Sequence, residues 1–122
     1  MNIPIYRAKK IDSDKYEIGF LLNNMIVTAY EQEVKRDGIY WKSITTSKID
    51  PATLAIHFPD MLDSQGNKIF ASLSEDGKGG DIMQDDEYIG IAKYIDCQFV
   101  VEYENCIDNI DNGNFDAIGI QE

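Results

Sequence analysis

The chain of 122 residues is long enough for one compact domain or two small subdomains, and 43% hydrophobic with 27% charged residues is a globular composition, not a disordered or coiled-coil one. Its 22 Asp and Glu against 11 Lys and Arg, a net charge of -11, oppose a duplex-DNA surface, which has to neutralise phosphates. The apolar runs Ile18 to Leu22 and Met25 to Ala29 are far short of the roughly 20 residues that a membrane-spanning helix needs.

Along the chain, Tyr16, Ile18 and Phe20 alternate with Glu17, Gly19 and Leu21, which predicts a strand with one buried and one outward face. Asn23-Asn24 then separates it from Met25 to Tyr30, and two residues that tolerate positive φ between apolar runs predict a tight hairpin. Asp37-Gly38 predicts a second hairpin, between Glu33–Arg36 and Ile39–Ile44. Pro51 removes a backbone donor and turns the chain, with one helical turn expected around Lys48–Ala52. Leu54, Ile56 and Phe58 alternate with Ala55 and His57 in a short strand that Pro59 ends. Turn formers fill Asp63–Lys68, and Ile69–Leu73 follows as an apolar run. Ser74–Gly80, with three glycines, reads as a flexible connection and not as a packed element. Asp81–Gln84, Tyr88–Tyr94, Gln98–Tyr103 and Phe115–Ile120 read as further strands, with a turn at Asp85–Glu87 and a polar stretch at Asn105–Asn114. Many short strands with turn signals between them predict a mainly β protein, a small barrel or roll.

The charge divides sharply. Residues 1–50 hold eight Lys or Arg and seven Asp or Glu, a net of +1, whereas residues 51–122 hold three and fifteen, a net of -12. That asymmetry predicts an N-terminal β subdomain over 1–50 and a barrel over 51–122, with any partner found through charge being basic and meeting the second half. Cys97 and Cys106 form no Cys-x-x-Cys pair, and with one His in the chain no zinc set can be assembled without carboxylates. The first ten residues lack the pattern of a signal peptide, so free thiols in a reducing cytosol are expected.

Candidate chemistry is sparse. Glu75–Asp81 has glycines and Lys78, but its acidic flanks and the strand that follows do not match a phosphate loop. Asp108–Asp116 has oxygen ligands and Gly113 at the sixth place of a calcium loop, yet Ile110 stands at a ligand position and Gly119 where a bidentate Glu is needed. The acids Asp81, Asp85, Asp86 and Glu87 read as exposed turn residues more than as a hard-cation site. His57 reads as a surface or half-buried histidine, not a catalytic base. Tyr30, Tyr40 and Trp41 lie in the half that carries Lys35, Arg36, Lys42 and Lys48, a pattern compatible with weak single-strand stacking, although strand aromatics more often serve a core or interface. No catalytic, cofactor-binding or metal residue is assigned.

Several stretches together resemble the YopX family of bacteriophage and prophage proteins. They are Tyr6-Arg7-Ala8-Lys9 with Tyr16–Gly19, Ile49–Leu54, Asp63–Phe70 with its Asp-x-x-Gly-x-x-Ile-aromatic turn, Gly80-Asp81-Ile82, and Phe115–Gly119. Relative to the usual family pattern, Ala71–Gly79 are inserted. The resemblance implies a mostly β protein whose second half is an SH3-like barrel entered at Gly80-Asp81-Ile82; it implies no catalytic motif and allows self-association. The expectation is therefore a non-enzymatic protein of the bacterial host cytosol, without cofactor, that binds another protein or forms a homo-oligomer. The alternative is a nucleic-acid role: weak single-strand binding by 1–50, or an acidic DNA mimic that blocks a host DNA-binding protein.

Overall fold

The computed structural model describes residues 4–36, 39–85, 88–103, 106–109 and 115–122, with side chains for these except 29–45, 106, 108 and 109. The chain is mainly β. Its strands are β1 (Ile5–Lys9), β2 (Tyr16–Leu22), β3 (Met25–Arg36), β4 (Ile39–Lys48), β5 (Ala55–His57), β6 (Ala71–Ser72), β7 (Asp81–Gln84), β8 (Ile89–Ile95), β9 (Gln98–Tyr103), β10 (Cys106–Asn109) and β11 (Asp116–Ile120). They form one curled, half-barrel sheet in the order β10-β9-β8-β6-β5-β1-β2-β3-β4, with β7 joined to both β8 and β11. Among the described residues no helix is long and apolar enough to cross a membrane.

The Asn23-Asn24 hairpin forms as predicted: Leu22 pairs with Met25, and Asn23 takes φ 54°. β3 and β4 pair from Met25↔Lys48 to Arg36↔Ile39. The Asp37-Gly38 turn itself lies outside the described residues. The pairing shows β3 as one long strand where the sequence predicted two segments, interrupted by a bulge between Tyr30 and Val34. The expected turn beside Lys48 is a 3₁₀ turn at Pro51–Thr53, with proline at its first position and the Asp50 carboxylate accepting the Ala52 N–H at 3.0 Å.

The alternation predicted for Tyr16–Leu22 is present on β2: Ile18, Phe20 and Leu22 stand outward, while the opposite face of this part of the sheet covers the smaller core of Ala8, Ile26 and Ile49, flanked by Tyr6 and Leu54. Two expectations are corrected. β5 does not alternate between buried and exposed. It lies in the middle of the sheet between β1 and β6, so Ala55, Ile56 and His57 are all buried. Cys106–Asn109, in the stretch read as polar, pairs with β9 as β10. The charge boundary at Asp50-Pro51 is spanned by the sheet, since Ile5, Tyr6 and Arg7 of β1 pair with His57, Ile56 and Ala55 of β5.

The larger core gathers Ile69, Ala71, Met83, Ala92, Val101 and Phe115 under the curl of the second half. Burying the large side chains among them, Ile69, Met83, Val101 and Phe115, contributes about 1.5–3 kcal/mol each.

The Asp63 turn closes one side of that core. Asp63 Oδ1 accepts the N–H of Gln65 at 2.9 Å and of Asn67 at 2.7 Å, while Oδ2 accepts from the Asn67 amide and the Ala117 N–H, both at 3.2 Å. One carboxylate thus shapes the turn and docks it on β11, and Gly66 supplies the required φ of +83°. Burial pushes the carboxyl up, but the Asn67 and Ala117 N–H groups, the Asn67 amide and the Gln65 N–H outweigh it and hold Asp63 below its ordinary 3.8. The unfolded chain therefore takes up this proton first as pH falls. The contribution of Asp63 is complete above its unfolded pKa and is lost as pH drops through the lower folded value. Asp63→Ala is expected to cost about 2 kcal/mol at pH 7. In urea titrations from neutral to strongly acid pH, the gap to the natural chain should narrow only below 3.8.

Candidate functional site

Among the described side chains of the first half the most buried charged group is Arg7, 7% exposed on β1. Its Nη2 lies 2.8 Å from Oδ1 of Asp81 on β7 and donates to the Gly79 carbonyl at 2.7 Å. Asp81 Oδ2 accepts the Phe70 N–H at 2.9 Å. The guanidinium sits 4.6 Å from the Phe70 ring centroid and 5.9 Å from that of Tyr16, so two aromatic faces take the place of water. Arg7 Nε and Tyr16 Oη are buried without a hydrogen-bond partner. This cluster ties the N-terminal strand to the barrel, and with both charged side chains buried it is an internal clamp.

The glycine-rich loop is packed, contrary to the flexible connection expected. Gly77, Gly79 and Gly80 are buried. Ser72 Oγ donates to the Lys78 carbonyl at 2.8 Å, Ser74 Oγ to that of Ala52 at 2.7 Å, and Lys93 Nζ to that of Glu75 at 2.6 Å. Gly79 N–H donates to Gln121 at 2.7 Å. A phosphate cradle turns N–H groups toward an anion. Here the carbonyls of Glu75 and Gly79 face the buried cations Lys93 and Arg7, so the loop has the opposite polarity.

His57 is corrected from surface or half-buried to core: it is 3% exposed. Its Nδ1–H donates to the Ile69 carbonyl at 2.9 Å, and its ring lies 5.4 Å from that of Phe70. Burial lowers its pKa below 6.5, partly offset by the Ile69 carbonyl, so the imidazole is neutral at physiological pH and serves packing. Asp81 is likewise moved from the expected exposed turn into the interior, and Asp85 accepts the Tyr88 N–H at 2.7 Å. Asp86, Glu87 and the middle of the Asp108–Asp116 stretch lie outside the described residues. Among the described residues no group of three or more His, Cys, Asp or Glu side chains is placed to hold a metal. Cys97 is free and exposed at the β8–β9 turn, and the side chain of Cys106 lies outside the description.

An open site does exist on the outer wall of the barrel. The register sets Gly119, Ile82, Ile91 and Glu102 side by side across β11, β7, β8 and β9. Ile89, Gly90, Tyr103 and Gln121 complete a groove of about 580 Å³, the size of a pocket that holds several side chains of a ligand. Tyr88 stacks on Tyr103 at 4.9 Å and 7° between planes at one end, and Ile89 is 58% exposed. Glycine keeps the row open at Gly119, whose only near neighbour for a Cβ is Ile82 Cδ1 at 3.8 Å. The strand pattern revealed β7, β8 and β9. The groove was not readable, because it depends on which residues of non-adjacent strands fall in register.

The fold and the groove define an all-β, barrel-like protein with an open apolar surface in an acidic setting. No protein-family model matches the chain, and neither curated proteins nor solved structures give a match.

Proposed function

We propose that the protein is a non-enzymatic interaction module that binds a protein segment, from a partner or from itself, in the groove of its barrel half. The observation that carries this reading is the apolar row of Ile82, Ile89 and Ile91 left open to solvent within a half whose net charge is -12. Such a surface favours an apolar segment flanked by Lys or Arg and repels an acidic one. The resemblance to YopX proteins belongs to the same proposal and makes this a phage or prophage protein acting in the host cytosol. It is supported by the structural roles of motif residues: Asp63 builds its turn, and Asp81 holds the clamp. The acid excess of residues 51–122 also favours a second reading, a DNA mimic that competes for a basic host protein.

The probe is a heptapeptide of Leu-Val-Leu flanked on each side by two lysines, titrated into the isotopically labelled chain and followed by NMR. Binding with amide shifts centred on Ile89–Ile91 and Glu102–Tyr103 is expected, weakening as salt rises. Ile89→Ser should weaken it about tenfold or more, at about 1.4 kcal/mol per tenfold, and a glutamate-flanked peptide should not bind. Equal binding of a lysine peptide without the apolar centre would overturn the groove in favour of diffuse charge, the DNA-mimic reading.

A further inference from the structure

The row of side chains that floors the groove continues past it. Cross-strand partners share a face of the sheet, and Glu102 of that row pairs in turn with Ile107 on β10. Gly119, Ile82, Ile91, Glu102 and Ile107 therefore stand in line across five strands. Ile107 is 58% exposed at one end, and Ile118, in the bulge of β11, is 54% exposed at the other. Along the strands the open band is narrow. On one side the glycine loop covers it, since a Cβ at Gly77 would stand 3.0 Å from Ile91 Cγ2 and 3.2 Å from Lys93 Cε. On the other it holds one further row, Asp116, Gln84 and Ile89, where β7 ends.

Four strand intervals of about 4.8 Å make the band about 19 Å long, and two rows of side chains make it about 7–10 Å wide. Those are the dimensions of one α-helix of about 13 residues, at about 1.5 Å per residue and about 10 Å across. A second sheet would need a broader face. Hydrogen bonding selects the same occupant. β7, β8 and β9 are paired on both edges, so an extended segment lying on this face would leave its own N–H and C=O groups against isoleucine. A helix satisfies those groups internally and presents apolar side chains every three to four residues. Charge sets its flank. Glu102 is neutralised by Lys93 at 2.8 Å, but Asp116, bonded to the neutral Ser64 hydroxyl, and Glu122 stand at the β11 end. Residues 81–122 contain no Arg and no Lys besides Lys93.

We infer that this band holds an amphipathic α-helix of a partner protein, its apolar stripe laid from Ile82 to Ile107 and a Lys or Arg at the end over β11. The inference rests on the groove reading above and names its occupant. Among the described residues the only helical segment of this chain is the 3₁₀ turn at Pro51–Thr53, so a second copy has no such helix to offer.

The probe is a capped peptide of about 14 residues with leucine at the helical spacing i, i+3, i+4, i+7 and i+8 and lysines at both ends. It is mixed with the full chain and followed by circular dichroism and by NMR of the labelled protein. Helical signal should exceed the sum of the separate components, and amide shifts should run from Ile82 through Ile91 to Ile107. A proline in the middle of the peptide should weaken binding about tenfold or more, because it breaks the helix. Ile107→Ser, at an exposed position outside the groove, should weaken the helical peptide about fivefold or more. The same variant should bind the lysine-flanked heptapeptide as before, since the apolar centre of that probe fits inside the groove. Amide positions away from the band check that the variant is folded. Binding without a gain of helix, equal binding of the proline peptide, or no effect of Ile107→Ser overturns the inference. A heptapeptide that shifts Ile89–Ile91 while the helical peptide stays unbound keeps the groove reading and loses the helix; if neither binds, both are lost.

Discussion

Gly79→Ala is expected to destabilise the fold by about 3 kcal/mol or more, while Gly66→Ala, at nearly the same backbone angle, should cost only about 1–2 kcal/mol. The two residues have φ of +81° and +83°, so both substitutions force an L side chain into the left-handed region. They differ in what surrounds them. A Cβ at Gly79 would stand 1.8 Å from the Thr53 carbonyl oxygen and 2.5 Å from its carbon, whereas at Gly66 nothing lies within 4 Å. Relief at Gly79 would have to come from backbone movement. That backbone is engaged on both sides, its N–H on Gln121 and its C=O on Arg7, both at 2.7 Å. The difference between the two variants in urea unfolding therefore isolates the packing of the loop on the 3₁₀ turn. Equal destabilisation would mean that the loop is not held against Thr53, and the flexible connection suggested by its composition would stand.

How much of this was legible depended on how local the determining physics is. The Asn23-Asn24 hairpin and the pairing on either side of Asp37-Gly38 follow from residues adjacent in sequence, and the strand register agrees with them. The β8–β9 turn carries no such signal. Asp96 and Cys97 take φ of 50° and 63°, the hand of a type I′ turn, although cysteine is not a residue that announces positive φ. β1 escaped detection because Arg7 and Lys9 break its apolar pattern, and Arg7 is tolerated there only because Asp81, from a distant part of the chain, neutralises it. His57 and the glycine loop were misplaced for the same reason. Their burial is imposed by β1 and β6 on one side and by Arg7 and Lys93 on the other, none of them a sequence neighbour. For the site, composition alone located the acid excess; which isoleucines line the groove depends on register across four strands.

The Arg7–Asp81 clamp makes a prediction that separates an ion pair from two independent polar residues. Arg7→Met keeps an apolar stem for Phe70 but leaves the Asp81 carboxylate, whose side chain is 5% exposed, without its cation. Removing one partner of a buried pair typically costs about 3–5 kcal/mol, because the surviving charge stays out of water. Asp81→Leu strands the guanidinium in the same way and also deprives the Phe70 N–H of its acceptor, so it should be the more damaging of the two. The double variant has no unpaired charge left inside. Its destabilisation should fall short of the sum of the single changes by about 1–3 kcal/mol, the range measured for residues in direct contact. Urea unfolding of the four proteins closes the cycle. Strict additivity would show that Arg7 and Asp81 contribute separately, through packing and the Gly79 and Phe70 hydrogen bonds, and that the sheet pairing of β1 with β5 suffices to fasten the first half of the chain to the barrel.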